Sequence, residues 1–102
     1  MKRTTTALLL TALLASSTAL PAQAATPKVS STVKAQLIYL MQEEKLARDV
    51  YAALAAKNIT PKFANITRSE QMHMDELAII LKTYGIADPT AGKKPGVFTD
   101  KK

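Results

Sequence analysis

The chain has 102 residues, no cysteine, one histidine and a formal charge of +6 from 14 basic and 8 acidic side chains. Disulfides and thiolate metal sites are excluded, and a zinc-protease motif, which needs a second histidine, is excluded with them. The basic residues are scattered, gathering only at Lys93-Lys94 and Lys101-Lys102 without interleaved aromatics, so nucleic-acid binding has no footprint.

In chain order, Lys2-Arg3 precede a Leu/Ala/Thr run from Thr4 to Leu20, and Pro21-Ala22-Gln23-Ala24 closes it with small residues where a signal peptidase reads. Residues 1–24 therefore read as a signal peptide cleaved after Ala24, sending the rest to the periplasm or the exterior. The apolar run is short, is diluted with Thr and Ser, and leads to an A-x-A site rather than a stop-transfer pattern. No stable membrane insertion is expected after cleavage. Cleavage leaves 78 residues and, with Lys2 and Arg3 gone, a charge of +4. A chain of under about 80 residues without disulfides seldom buries enough apolar surface alone, so it needs help from a metal or from association.

Residues 25–31, rich in Ala, Thr, Pro, Lys and Ser, read as a flexible leader. Ser31 or Thr32 then serves as an N-cap for a helix running to about Lys57. Asn58-Ile59-Thr60-Pro61 is a turn with a restart signal, since Thr60 can cap and Pro61 suits the first helical position, where no N–H is needed. A second helix runs to Tyr84 and ends at Gly85, a residue free to take the left-handed conformation. Residues 85–102 form a loop or tail rich in turn formers, in which only Val97-Phe98 offers an anchor to a core. With no strand-like alternation, the fold class is all-α: an antiparallel helical hairpin over residues 32–84.

On the second helix Phe63, Ile66, Met74, Leu77, Ile80, Leu81 and Tyr84 share one arc at 100° per residue, and Glu70 and His73 fall inside it. Their i, i+3 spacing sends a carboxylate and an imidazole from neighbouring turns toward one apolar layer. That is costly unless the groups are paired, protonated or bound to a cation. On the first helix Tyr39, Leu40, Leu46, Ala47, Val50, Tyr51 and Leu54 define the apolar arc, with Lys45, Arg48, Asp49 and Gln42 mostly opposite. Glu43 lies near the centre of that arc, and Glu44 at its edge between Leu37 and Tyr51. An antiparallel pairing thus brings a Glu and a Glu-x-x-His together, which is half of a carboxylate-bridged di-iron or di-manganese site of a four-helix bundle. Carboxylates bridge and neutralise divalent cations, and imidazole fills a terminal position. Glu70–His73 also reads as a simple helical hydrogen-bonded pair, and Glu43-Glu44 as solvated. Met41, Met72 and Met74 read as core or surface residues, and the Asn58 and Asn65 sequons as coincidence.

The stretch Glu44-Lys45-Leu46-Ala47-Arg48-Asp49-Val50-Tyr51 resembles the E-x-x-A-x-x-x-Y pattern of the first bundle helix in ferritins, bacterioferritins and rubrerythrins. Extended to Glu43, then Phe63-Ala64-Asn65-Ile66 with Ser69-Glu70-Gln71-Met72-His73-Met74, then Tyr84-Gly85-Ile86 and Gly96-Val97-Phe98, it resembles more closely a prokaryotic, often exported, ferritin-like domain family whose function is not established. The resemblance covers about Leu37 to Thr99. It implies half of a ferritin-like four-helix bundle, with Glu44 as first-helix metal ligand, Glu70 as bridging ligand, His73 as terminal ligand and Tyr51 near the metals. It favours Glu44 where periodicity favours Glu43, which stays the second choice.

Members of that family continue past the Gly-Val-Phe segment into two further helices with the second Glu and second Glu-x-x-His, whereas this chain stops at Lys102. A homodimer in which each hairpin supplies one Glu and one Glu-x-x-His is the expected remedy, as in related half-length ferritin-like proteins; a truncated relic is the other reading. The resemblance thus implies an exported metal-binding protein using iron or manganese, with oxidoreductase chemistry on dioxygen or peroxide within its range. The alternative is a non-enzymatic helical interaction module in which Glu70–His73 is only a structural polar pair. Membrane-surface binding is disfavoured, because neither helix lines its polar face densely with lysine.

Overall fold

The computed structural model describes residues 15, 16, 18, 20 and 25–99. The signal peptide expected over residues 1–24 thus lies, apart from four isolated positions, outside the described residues. Two helices, α1 (Ser31–Ala55) and α2 (Pro61–Thr83), pack against each other as a hairpin, and the described residues contain no strand. The expected all-α hairpin is the architecture found.

Each helix boundary has a local chemical cause. Ser30, one residue before the expected cap, takes extended backbone angles and its Oγ accepts from the Val33 N–H at 3.2 Å, which leaves Ser31 helical. The end of α1 comes at Ala55 rather than Lys57, because Asn58 turns into the left-handed region (φ 53°), where asparagine is tolerated. Thr60 caps α2 and Pro61 opens it, as its fixed φ and missing N–H suit that position. Beyond Thr83, Tyr84 is the C-cap and Gly85 has φ 64°. The Ile86 N–H donates to the Leu81 carbonyl at 2.8 Å and the Gly85 N–H to that of Lys82 at 3.1 Å. This pair of bonds is a Schellman motif, and Ile86 is buried beside Leu81 as its apolar contact.

The core is small. Met41 of α1, Met74, Leu77 and Leu81 of α2, and Ile86 beyond it are buried, with Val29, Leu37, Ile38, Ala78 and Tyr84 packed around them. Leu81 and Met41 are almost fully enclosed, at 1% exposure each.

On α1 the expected apolar arc is not the buried face. Of that arc Tyr39, Leu40, Leu46 and Val50 are exposed and Ala47, Tyr51 and Leu54 half-buried, while Lys45 and Asp49, expected on the solvated side, are buried. The reason lies in the segment after α2, which folds back over that side of α1. The Lys45 Nζ donates to Asp49 Oδ2 at 2.5 Å and to the Lys94 carbonyl at 2.8 Å, and it stands 4.5 Å from the centroid of the Phe98 ring. The Gly96 N–H donates to Asp49 Oδ2 at 3.0 Å. Phe98 does anchor the tail, but through a cation over its ring rather than through an apolar core, and Val97 stays exposed. Among the described residues, no helix is long and apolar enough to cross a membrane.

Candidate metal centre

Antiparallel pairing brings the middle of α1 level with the first half of α2. Tyr51 and Phe63 lie with ring centroids 6.1 Å apart. Seven residues from each, toward the other end of the hairpin, Glu44 meets Glu70 and His73. Seven residues is close to two helical turns, so both contacts fall along one seam.

At that seam His73 Nδ1 stands 3.2 Å from Glu44 Oε2 and 3.2 Å from Glu70 Oε2. One ligand atom from each of Glu44, Glu70 and His73 lies within 4.8 Å of the others. The carboxylates are largely covered, with side chains 21% and 19% exposed, whereas the imidazole is 52% exposed. The site is therefore a carboxylate pair roofed by a ring that solvent can reach. Glu43 is exposed on the neighbouring face and stands outside the group. Tyr51 lies two turns along α1, stacked toward Phe63.

The electrostatics are those of a crowded anionic pair. The hydrogen bond to Glu70, and secondly burial, holds the Glu44 carboxyl above its usual range, and the same hydrogen bond to Glu44 holds Glu70 below it. The two carboxylates thus influence each other's titration, Glu44 being pushed up and Glu70 down. Hydrogen bonds to Glu70 and to Glu44 raise the His73 imidazole above its ordinary 6.5. Two carboxylates and an imidazole form a hard oxygen and nitrogen donor set, the type taken by iron, manganese or zinc. A divalent cation would relieve the repulsion between the two carboxylates and take an imidazole nitrogen as a further ligand, so the residues present fit such an ion.

A second polar network, not foreseen from periodicity, lies beside the first. The Arg48 Nε and Nη2 donate to Asp49 Oδ1 at 3.1 and 2.9 Å, and its Nη1 donates to Gln71 Oε1 on α2 at 2.7 Å. The Gln71 Nε2 donates in turn to Asp75 Oδ1 at 2.8 Å. The signal available in the sequence was the i, i+4 spacing of Lys45 and Asp49, a favourable ion-pair offset, but nothing in it foretold that the tail would bury the pair.

A family model described as "Uncharacterized protein domain (DUF2202)" matches residues 33–102. The uncharacterized protein MJ0754 of Methanocaldococcus jannaschii is 45% identical over 74 residues, which cover 72% of this chain and 40% of that protein. The chain thus spans well under half the length of the curated relative it matches. No solved structure matches it. With more than two thirds of its length inside the family model, and with the relative carrying the likeness across most of the same region, the chain belongs to the DUF2202 domain family.

Proposed function

We propose that this chain is an exported, ferritin-like metal-binding protein in which Glu44, Glu70 and His73 hold iron or manganese. The observation that carries the reading is the convergence of two carboxylates and the chain's single imidazole, from two helices, within 4.8 Å. The carboxylates face each other across a seam where a cation relieves their repulsion, and the half-exposed imidazole leaves a route for the ion to enter.

Three protein ligands leave a divalent cation with open positions, and a second copy of the hairpin supplies the rest. Leu40, one turn before Glu44 on α1, and Ile80, two turns beyond His73 on α2, are exposed. A two-fold arrangement across that surface covers them and sets two identical ligand groups around one centre. The bound metal would supply redox chemistry toward dioxygen or peroxide. The chain's own residues bind the ion, hold the carboxylates together and keep one imidazole edge open to solvent.

The decisive experiment measures metal content and solution mass together on the exported, processed chain. About one iron or manganese per chain, with a dimer that tightens as metal is added, is the expected result. Protein that stays metal-free in excess ferrous iron, with Glu70→Ala altering neither melting nor association, would overturn the reading.

The second reading is a helical interaction module. Its support is that His73 Nδ1 stands within hydrogen-bond distance of a carboxylate on each helix, so the triad can act as a polar lock between helices. It requires a chain indifferent to metal.

A further inference from the structure

We propose that Arg48 and Gln71 are positioning residues, whose bond across the hairpin sets the longitudinal register in which Glu44 of α1 faces Glu70 and His73 of α2. This rests on the metal-binding reading above.

The apolar core by itself leaves that register loose. Apolar contact is non-directional, and two of the five buried core residues are the methionines Met41 and Met74, one close to Glu44 in sequence and the other next to His73. Methionine is flexible and adapts to shifted neighbours. Sliding one helix past the other by a single residue moves its side chains about 1.5 Å along the axis, a displacement such a core absorbs readily. A ligand set spread over both helices does not absorb it.

The Arg48–Gln71 bond is directional, and it sits where it can hold the register. Arg48 is one turn beyond Glu44 on α1, and Gln71 is adjacent to Glu70 on α2. The guanidinium is held before it reaches across: two of its nitrogens donate to Asp49 Oδ1, and Asp49 Oδ2 is held by Lys45 and by the Gly96 N–H. Its remaining arm, Nη1, therefore points at Gln71 in a defined direction and meets Oε1 at 2.7 Å. The Gln71 amide is oriented by its other bond, to Asp75. Both ends of the contact are thus fixed by bonds on their own helix. That is the condition under which a single contact fixes a distance between helices.

Cobalt(II) titration of the purified chain, followed by its visible absorption bands, tests this without any assay of turnover. Arg48→Met and Gln71→Leu are each expected to weaken cobalt binding about tenfold, as loss of an outer-shell orienting partner does, and to change the band shape. Because they break the same bond, the double variant is expected to be little weaker than either single one. Leu81→Ala, which removes core away from the bond, lowers the melting temperature while cobalt affinity stays within about twofold, provided the chain remains folded. Arg48→Lys, which keeps the charge but loses the fork, serves if Arg48→Met does not fold, and is expected to weaken binding as well. Unchanged affinity and spectra in Gln71→Leu, or additive losses in the double variant, would overturn the positioning role while leaving the metal reading standing. Absence of cobalt binding by the parent chain overturns both.

Discussion

Lys45 and Asp49, one turn apart on α1, form an ion pair that is almost completely withdrawn from water, with Nζ to Oδ2 at 2.5 Å. The segment after α2 closes over it, contributing the Lys94 carbonyl, the Gly96 N–H and the Phe98 ring. Every strong donor and acceptor of the pair is thereby used, as a buried charge requires.

Removing one member of this pair is expected to cost more than its exposed neighbours suggest. Asp49→Ala strands a buried ammonium and is expected to destabilise the fold by about 3 kcal/mol, the order found when a buried pair is broken. Lys45→Met is expected to cost less, because Asp49 keeps Arg48 and the Gly96 N–H. Urea denaturation of the two variants beside the parent decides the order.

Acid should unfasten the same tail. Burial alone pushes the Asp49 carboxyl up, but hydrogen bonds from Lys45, the Gly96 N–H and Arg48 together bring it below its ordinary 3.8. A carboxyl with a depressed folded value contributes stability that is complete above the unfolded value, near 3.9, and is lost as pH falls through the folded one. The expected outcome is a stability loss beginning near pH 4 and deepening below it, accompanied by faster amide exchange at Gly96. Asp49→Asn should flatten that limb of the pH profile.

His73 provides a clean probe because it is the chain's single histidine. Its imidazole resonance is expected to titrate above 6.5 in the metal-free chain and to move back toward 6.5 in Glu70→Gln and in Glu44→Gln. A raised folded value means that the contribution to stability is present below the unfolded value and lost as pH rises through the folded one. Metal binding requires the neutral ring, so affinity for manganese or iron should increase over that same rise in pH. A ring titrating at or below 6.5 would show that the triad does not assemble in solution.

Association is expected to depend on the open face and not on the core. Leu40→Lys and Ile80→Lys replace side chains that are 43% and 39% exposed. They should leave the helical circular dichroism unchanged while sedimentation velocity shows the loss of the dimer proposed above. A dimer that persists in both variants would place its interface elsewhere.

Gly85→Ala tests the end of α2. Its φ of 64° lies where a side chain costs about 1–2 kcal/mol, and an added Cβ would meet Thr26 Cγ2 at 3.3 Å. A drop in melting temperature without any change in the His73 titration is expected, since the Schellman turn is remote from the triad.

Local chemistry made much of the fold legible in the sequence. Thr60-Pro61 and Gly85 set their helix ends because capping and left-handed turns depend on a few adjacent residues. The i, i+3 spacing of Glu70 and His73 put both on one face of α2, as helix geometry dictates. The choice between Glu43 and Glu44 was different in kind. Periodicity places Glu43 at the centre of α1's apolar arc, whereas the resemblance to the E-x-x-A-x-x-x-Y pattern favours Glu44, and Glu44 is the one that meets Glu70 and His73.

Only the tertiary structure decided which side of α1 is buried. A helix carrying Tyr39, Leu40, Leu46 and Val50 on one face and Lys45 and Asp49 toward the other presents its apolar face as the natural core, and periodicity measures nothing else. What reversed the outcome is a contact across 49 residues, from Lys45 to the Lys94 carbonyl, together with the Gly96 N–H on Asp49. Backbone groups of a turn-rich segment satisfied a charged pair and drew it inside. Such long-range backbone partners leave no mark in the local pattern of side chains, so the sequence could supply the residues of the triad while the fold alone determined how they are held.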